Sequence, residues 1–265
     1  MSADLLVTHD GPIATVTLNR PDARNAYSEE MAADLVRAIC QCDADPEVRV
    51  VILTGAGDAF SAGGDLKAMR EQTGMFAGSG AELRDRYHHG LQQVARAFET
   101  CEKPVVAAIN GAAIGAGLDL ACMCDIRIAS DRARFGETFV SVGLVPGDGG
   151  AYFLSRVIGF SRALEMALTA RLIDAAEALR IGLVSGVVPA EALMGAAQAA
   201  AMSIARQAPI AVKLTKAAFY RGYQKDLETA LTMAAAFQGL AQRTSDHQEG
   251  VAAILEGRKP NFRGQ

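Results

Sequence analysis

The stretch that decides the fold occurs twice. VVILTGAGDAFSAGGDL, residues 50–66, is answered by VVAAINGAAIGAGLDL, residues 105–120. Each copy runs from an apolar strand through a glycine turn and a few small residues to Asp-Leu at the mouth of a helix. They read as successive turns of one strand–strand–helix unit, and in such a repeat both glycine turns fall on the same side, near each other.

Upstream, LLVTHDGPIATVTLN (residues 5–19) alternates apolar and polar on both sides of Asp10-Gly11, the pattern of a β-hairpin. SEEMAADLVRAICQCD (28–43) has a serine cap and helical spacing from Met31 to Ile39. VRVVILTG (48–55), KPVVAAING (103–111) and CDIRIAS (124–130) read as buried strands. QTGMFAGSGAE (72–82) reads as a mobile loop and residues 83–101 as a helix. From Gly150 onward the pattern is helical apart from LVSGVV (183–188), with breaks at Pro189, Pro209 and Pro260. Strands alternating with helices, then helices alone, predict an α/β core over residues 1–190 and a helical region over 191–265.

The 265 residues suit one large domain or a domain with an appendage, and half of them are hydrophobic, enough for a full core. A net charge of −4 and a pI near 5.6 argue against general nucleic-acid binding, although a local basic patch can still hold a phosphorylated ligand. MSADLLVTHDG lacks the basic start and apolar block of a signal peptide, and no run is long enough to span a bilayer. Five cysteines without CxxC spacing read as reduced thiols. Together these predict a cytoplasmic, soluble protein. Cys122 and Cys124, two thiols with no further His or Cys partners, make a poor metal site, so no metal is expected.

Glycine turns after strands often cradle phosphate, but neither turn has the Lys-Ser/Thr of a P-loop. Gly111, Gly115 and Gly117 space as GxxxGxG, not GxGxxG, and Asp119 would repel a phosphate. An oxyanion hole fits better. The first N–H groups of a helix lack intrahelical partners and lie at its positive end, and small residues let a carbonyl oxygen come close. Two matching turns would aim one donor each at the same oxygen, although glycines that only permit close packing remain the simpler reading of either turn alone.

Five motifs carry a resemblance along nearly the whole chain: VTLNRPDARNAYS (16–28), AFSAGGDLKAM (59–69), KPVVAAINGAAIGAGLDLACMCDIRIAS (103–130), FGETFVSVGLVPGDGG (135–150) and SDHQEGVAAILEGRKPNF (245–262). With these the sequence resembles the enoyl-CoA hydratase/isomerase, or crotonase, superfamily. The resemblance implies an α/β fold, a crotonase-like spiral of repeated ββα units with a helical C-terminal trimerisation region. It implies an unsaturated acyl-CoA substrate handled through a stabilised enolate, with coenzyme A as part of the substrate and no prosthetic group. It also implies a homotrimer, or a hexamer made of two trimers.

By the same resemblance the oxyanion donors are the N–H groups of Gly64 and Ala116; many relatives carry glycine at the second position. Two glutamates flank the thioester in a family hydratase. The first position matches Asp119, one methylene shorter; the second matches Phe139, which moves no proton. That departure puts simple hydration in question and raises isomerisation on a single carboxylate as the alternative. Glu137, two residues before Phe139, would share its face if the segment is extended. Asp148 lies one residue past the position where dienoyl-CoA isomerases and the ring-epoxide (1,2-epoxyphenylacetyl-CoA) isomerases carry an aspartate, and the latter resemble this chain in their aromatic at Phe139 and in the tail. Asp65 reads as a helix-capping residue.

For the coenzyme A moiety, Arg24 and Lys67 occupy the matching motif regions, with backbone groups of Ala62, Gly63 and Leu66 receiving the adenine and pantetheine. Arg258 and Lys259 could approach a neighbour's coenzyme A, but the relatives' lysine position reads Gly257 here. Met69, Met75, Phe76 and Phe139 can line an adaptable acyl pocket or simply belong to the core. His88 and His89 read as one exposed and one packed histidine. Ser141 and Ser155 lack a His–Asp pattern for hydrolysis. A noncatalytic acyl-CoA-binding protein is the rival from another class.

Overall fold

The structure is a computed structural model and describes residues 3–265. Strands β1 (Leu5–Asp10) and β2 (Ile13–Leu18) form the antiparallel hairpin about Asp10-Gly11. Three strand pairs follow: β3 (Val50–Gly55) with β4 (Ala59–Ser61), β5 (Val105–Ile109) with β6 (Ala112–Ile114), and β7 (Ile126–Ser130) with β8 (Arg134–Gly136). Short strands β9 (Ile173–Asp174) and β10 (Gly186–Val188) complete two sheets, ordered β1-β2-β3-β5-β7-β10 and β4-β6-β8-β9.

In each sheet the repeat strands pair in parallel, β3 with β5 with β7 and β4 with β6 with β8. This is a stack of ββα turns, the spiral that the repeated stretch predicts. Strands β3 and β5 are continuous apolar runs because both of their faces are covered. One face meets the main core, and Leu193, Ala197, Ala201 and Ala205 of the helix Leu193–Ala205 cover the other.

Missing side chains set the spacing between turns. A methyl on Gly117 would collide with the Ser61 carbonyl, and one on Gly111 with the Asp58 carbonyl. At Gly63, φ is +82° and a methyl would press on the Ile114 carbonyl and the Ala116 nitrogen. Any side chain at these positions would push the second glycine turn away from the first. Asn25, fully buried in the left-handed region (φ +54°), ties the hairpin to the first turn. Its Nδ2 donates to the carbonyls of Ala56 (2.9 Å) and Ala59 (2.8 Å), and its Oδ1 accepts from the Arg20 N–H (2.9 Å).

Two expectations need correction. The stretch 72–82 is not a loop throughout: it holds a short 3-10 turn at Gly74–Phe76 and opens the helix Gly80–Arg86. Ser79 and Glu82 form a reciprocal capping box there, a start signal hidden among the glycines. The helical rod from 80 to 100 also carries a π turn at Tyr87–Leu91, and both His88 and His89 are exposed. One widened turn rotates the face that follows it, so neither histidine reaches the core.

All five cysteines are free thiols. Among the described residues no helix is long and apolar enough to cross a membrane. Asn25→Ala removes two donations and one acceptance and puts a non-glycine residue without a polar anchor in the left-handed region. It is expected to cost roughly 2–4 kcal/mol of unfolding free energy, read by urea denaturation; a loss under about 0.5 kcal/mol would contradict this role.

Candidate active site

The two glycine turns meet over a cavity of about 460 Å³. Tyr27, Gly64, Ala116, Asp148 and Phe139 all line it, with Met69, Met75 and Phe76 forming an apolar wall. Ala116 is the first residue of the helix Ala116–Met123, so its N–H has no intrahelical acceptor. The sharp bend falls on Gly115 (φ +52°), which leaves Ala116 with an ordinary negative φ. Gly64 follows Gly63, whose carbonyl accepts from the Tyr27 N–H (2.8 Å), and precedes Asp65. Asp65 caps the helix Leu66–Glu71, its carboxylate accepting from the Lys67 and Ala68 N–H groups, in the structural role that its position predicts. Ala116 thus opens a helix at the cavity wall, and Gly64 lies on the same wall two residues ahead of another.

Beside these donors the structure gathers the three candidate acids. Asp119, Glu137 and Asp148 are 0%, 1% and 4% exposed. No N–H or O–H donor among the described residues reaches either oxygen of Asp119 or Glu137, or Oδ1 of Asp148. Asp119 faces both of the others, so the hydrogen bonds open to the group inside the protein are those in which one carboxyl donates its proton to the next. A methyl on Gly150 would land on Oδ1 of Asp119 and Oε1 of Glu137, which places the start of the helix Gly150–Ile158 against the cluster. The positive end of that helix favours one net negative charge here.

Burial is the first cause of the resulting shifts. It raises Asp119 well above the usual carboxylate range, with the charges of Asp148 and Glu137 adding to it. Burial pushes Glu137 up to about 8 against a hydrogen bond with Asp119 that lowers it, and raises Asp148 as well. Three acids so close cannot all ionise, so protons are shared and one group can take a proton as another gives one up.

Only Asp148 of the three lines the cavity; Asp119 and Glu137 lie behind it. Glu137 gets there by a route different from the expected one. β8 ends at Gly136, Thr138 turns the chain (φ −97°, ψ 11°), and Phe139 opens a 3-10 turn. Glu137 and Phe139 therefore do not share one extended face. Glu137 points to the cluster and Phe139 to the cavity, where it packs beside Gly115.

Of the other candidates, Ala62 and Leu66 line the mouth of the cavity. Gly63 is buried as the hinge between the turns. Arg24 and Lys67 are exposed near the mouth and make no ion pair among the described residues. The backbone carbonyl of Arg24 accepts from the Ala62 N–H (2.9 Å). Arg258 is held by Glu249 and Glu256 (both 2.6 Å), and Gly257 ends the preceding helix in the left-handed region. Residues outside the candidate set also belong to the site: Tyr27 and Tyr87 line the cavity, and Gly150 backs the carboxyls. The sequence signals for them were the NAYS and GDGG segments, which carry no chemistry by composition.

A ββα spiral that aims backbone donors from two successive turns into one cavity, above buried carboxyls, is the architecture of a crotonase-fold protein. The chain belongs to the enoyl-CoA hydratase/isomerase family, whose model matches residues 8–265. It is 41% identical over 257 residues to the short-chain-enoyl-CoA hydratase of Clostridium acetobutylicum, covering 97% of this chain and 96% of that one. It is also 41% identical over 253 residues to the (E)-benzylidenesuccinyl-CoA hydratase of Thauera aromatica, covering 95% and 96%. Among solved structures, the enoyl-CoA hydratase from Bacillus anthracis superposes with a TM-score of 0.92 at 36% identity, covering 99% of this chain and all of that one.

The cluster makes stability depend on pH. A carboxyl raised in the folded state stabilises it fully below the unfolded pKa, and that contribution is lost as pH rises through the folded value. For Glu137 the loss runs from about 4.5 to about 8. Glu137→Gln keeps the shape of the neutral form and is expected to melt higher than the wild type at pH 8 and close to it at pH 4.5. A wild type that gains on the variant between those pH values would reverse the assignment.

Proposed function

We propose that the protein adds water across the double bond of a 2-enoyl-CoA. The observation that carries this reading is that Gly64, Ala116 and Asp148 line one cavity, with Asp119 and Glu137 buried behind Asp148. The thioester oxygen sits between the N–H groups of Gly64 and Ala116, which stabilise the charge it gains as the enolate forms. Asp148, at the cavity wall, takes a proton from the attacking water as the oxygen bonds to the β-carbon. The α,β electron pair moves to the α-carbon and is protonated there through Asp148, the one carboxyl of the three at the cavity wall, with Asp119 and Glu137 behind it sharing the proton. In this chain a cluster of linked carboxyls does what Phe139, standing at the second glutamate position, cannot. The hydratase names of the relatives support the same reaction, and the aryl side chain in the name of the Thauera relative is in keeping with an apolar wall of Met69, Met75, Phe76 and Phe139.

Coenzyme A is the carrier of the substrate and needs no prosthetic group beside it. Arg24 and Lys67, exposed and free of ion pairs among the described residues, would meet its phosphates, and the backbone at Ala62, Gly63 and Leu66 its adenine and pantetheine arm; Ala62 and Leu66 line the cavity.

The helices of residues 191–265 serve oligomerisation in this reading. Phe219, Ile254 and Leu255 on these helices stand 77%, 82% and 82% exposed, apolar side chains that a subunit contact would cover. A homotrimer, or two trimers, would cover it. Sedimentation should give a multiple of the 27.8 kDa chain in threes, and a single-chain mass would contradict the reading.

Ala116→Pro tests the hole directly. Proline is tolerated at the first position of a helix, yet it lacks the N–H. The variant should lose roughly 10²–10³-fold in kcat for water addition, read on protein whose circular dichroism matches the wild type. Asp148→Asn should lose about 10²–10⁴-fold. Unchanged kcat in either variant would overturn the role given to that residue.

A further inference from the structure

One polar group faces the reaction space that neither the donors nor the carboxyls account for. Tyr27 is 4% exposed, and it lines the cavity together with Gly64, Ala116 and Asp148. Its main chain is fixed on both sides. The Tyr27 N–H donates to the Gly63 carbonyl (2.8 Å) in an isolated bridge to Gly64, and Ser28 caps the next helix through its bond from the Met31 N–H (3.0 Å). The phenol therefore moves with the oxyanion turn itself.

Its hydroxyl has no hydrogen-bond partner among the described residues, and it is not one of the polar atoms sealed from solvent. What it meets is whatever fills the cavity. A phenol oxygen that opens onto the cavity takes its hydrogen-bond partner from what the cavity holds, a partner that the protein does not itself supply. Burial first, then the charges of Asp148, Asp119 and Cys124, raise its pKa well above 10, so the phenol keeps its hydrogen and acts as a donor. Asp148 and Asp119 act on it through their charge and not through a direct hydrogen bond, which leaves a gap between phenol and carboxyls. The opposite wall, Phe139, offers no donor.

We infer that Tyr27 is a positioning residue whose hydroxyl donates to the water that Asp148 activates. The inference rests on the hydration reading above. The water gives one proton to Asp148, accepts the Tyr27 O–H at one lone pair, and directs its other lone pair at the β-carbon. As that C–O bond forms, the π pair passes to the α-carbon, where the shared carboxyl proton closes the step. Tyr27 ends with the proton it began with.

Tyr27→Phe removes only the oxygen and keeps the ring in the wall. Two rates in one preparation separate positioning from structure: water addition to a 2-enoyl-CoA, and α-deuterium exchange into the saturated thioester in D₂O, which needs the hole and an acid but no placed water. Water addition should fall roughly 10- to 100-fold in kcat, the worth of one hydrogen bond to a group that gains charge, with KM and the exchange rate held within about threefold. Unchanged water addition would overturn the inference and leave the hydration reading standing. A parallel fall in both rates would also overturn it, because the phenol would then matter only for packing. A wild type that exchanges deuterium but adds water to no enoyl thioester would remove both the hydration reading and the role for Tyr27.

Discussion

Three buried carboxyl groups packed together, five of whose six oxygens meet no hydrogen-bond donor among the described residues, are the constraint on which the site depends. Burying even one unpaired charge is costly, and burying three is prohibitive. The protein keeps the group by letting it hold protons. Asp119 faces Glu137 and Asp148, and the start of the helix Gly150–Ile158 tolerates one residual charge. The same arrangement makes a proton store that can accept and release at nearly constant charge. A single isolated aspartate in this cavity would be locked in its protonated form.

The spiral fixes where that store lies relative to Gly64 and Ala116, the residues to which we assign the oxyanion donors. Gly63, Gly111 and Gly117 let backbone touch backbone between successive turns, so the Gly64 and Ala116 N–H groups arrive at one cavity. Asp119 lies one helical turn past Ala116 in the helix Ala116–Met123, which ties the acid to the donor by covalent geometry. Gly147, Gly149 and Gly150 bring Asp148 in from a different part of the chain. Hole and acids thus belong to one rigid frame, with Phe139 and the methionines forming its apolar side.

Much of this was legible in the sequence. The repeat at 50–66 and 105–120 showed the spiral because both copies keep strand, glycine turn and Asp-Leu in the same order. The hairpin and the Ser28 and Asp65 caps were also readable, since each is a local signal with a local cause. The placement of Glu137 was not. Alternation predicts faces only while a strand continues, and the chain leaves the sheet at Gly136. Nor does a pattern show that Asp148 lines the cavity while Asp119 lies behind it, because that ordering comes from three separate segments packing together. Tyr27 and Gly150 were invisible for a related reason: one matters for a hydroxyl left without a partner, the other for a side chain it lacks. The π turn at Tyr87–Leu91 has no periodic signature of its own within a helical stretch.

The most direct measurement is the mass of the products formed from 2-enoyl- and 3-enoyl-CoA thioesters in D₂O. With a carboxyl cluster that both activates water and protonates the α-carbon, the 2-enoyl thioester should gain the mass of one D₂O, and the gain should disappear in Asp119→Asn. A double bond that moves from the 3-enoyl thioester without any addition to the 2-enoyl one would contradict the account. The cluster would then shuttle protons and place no water.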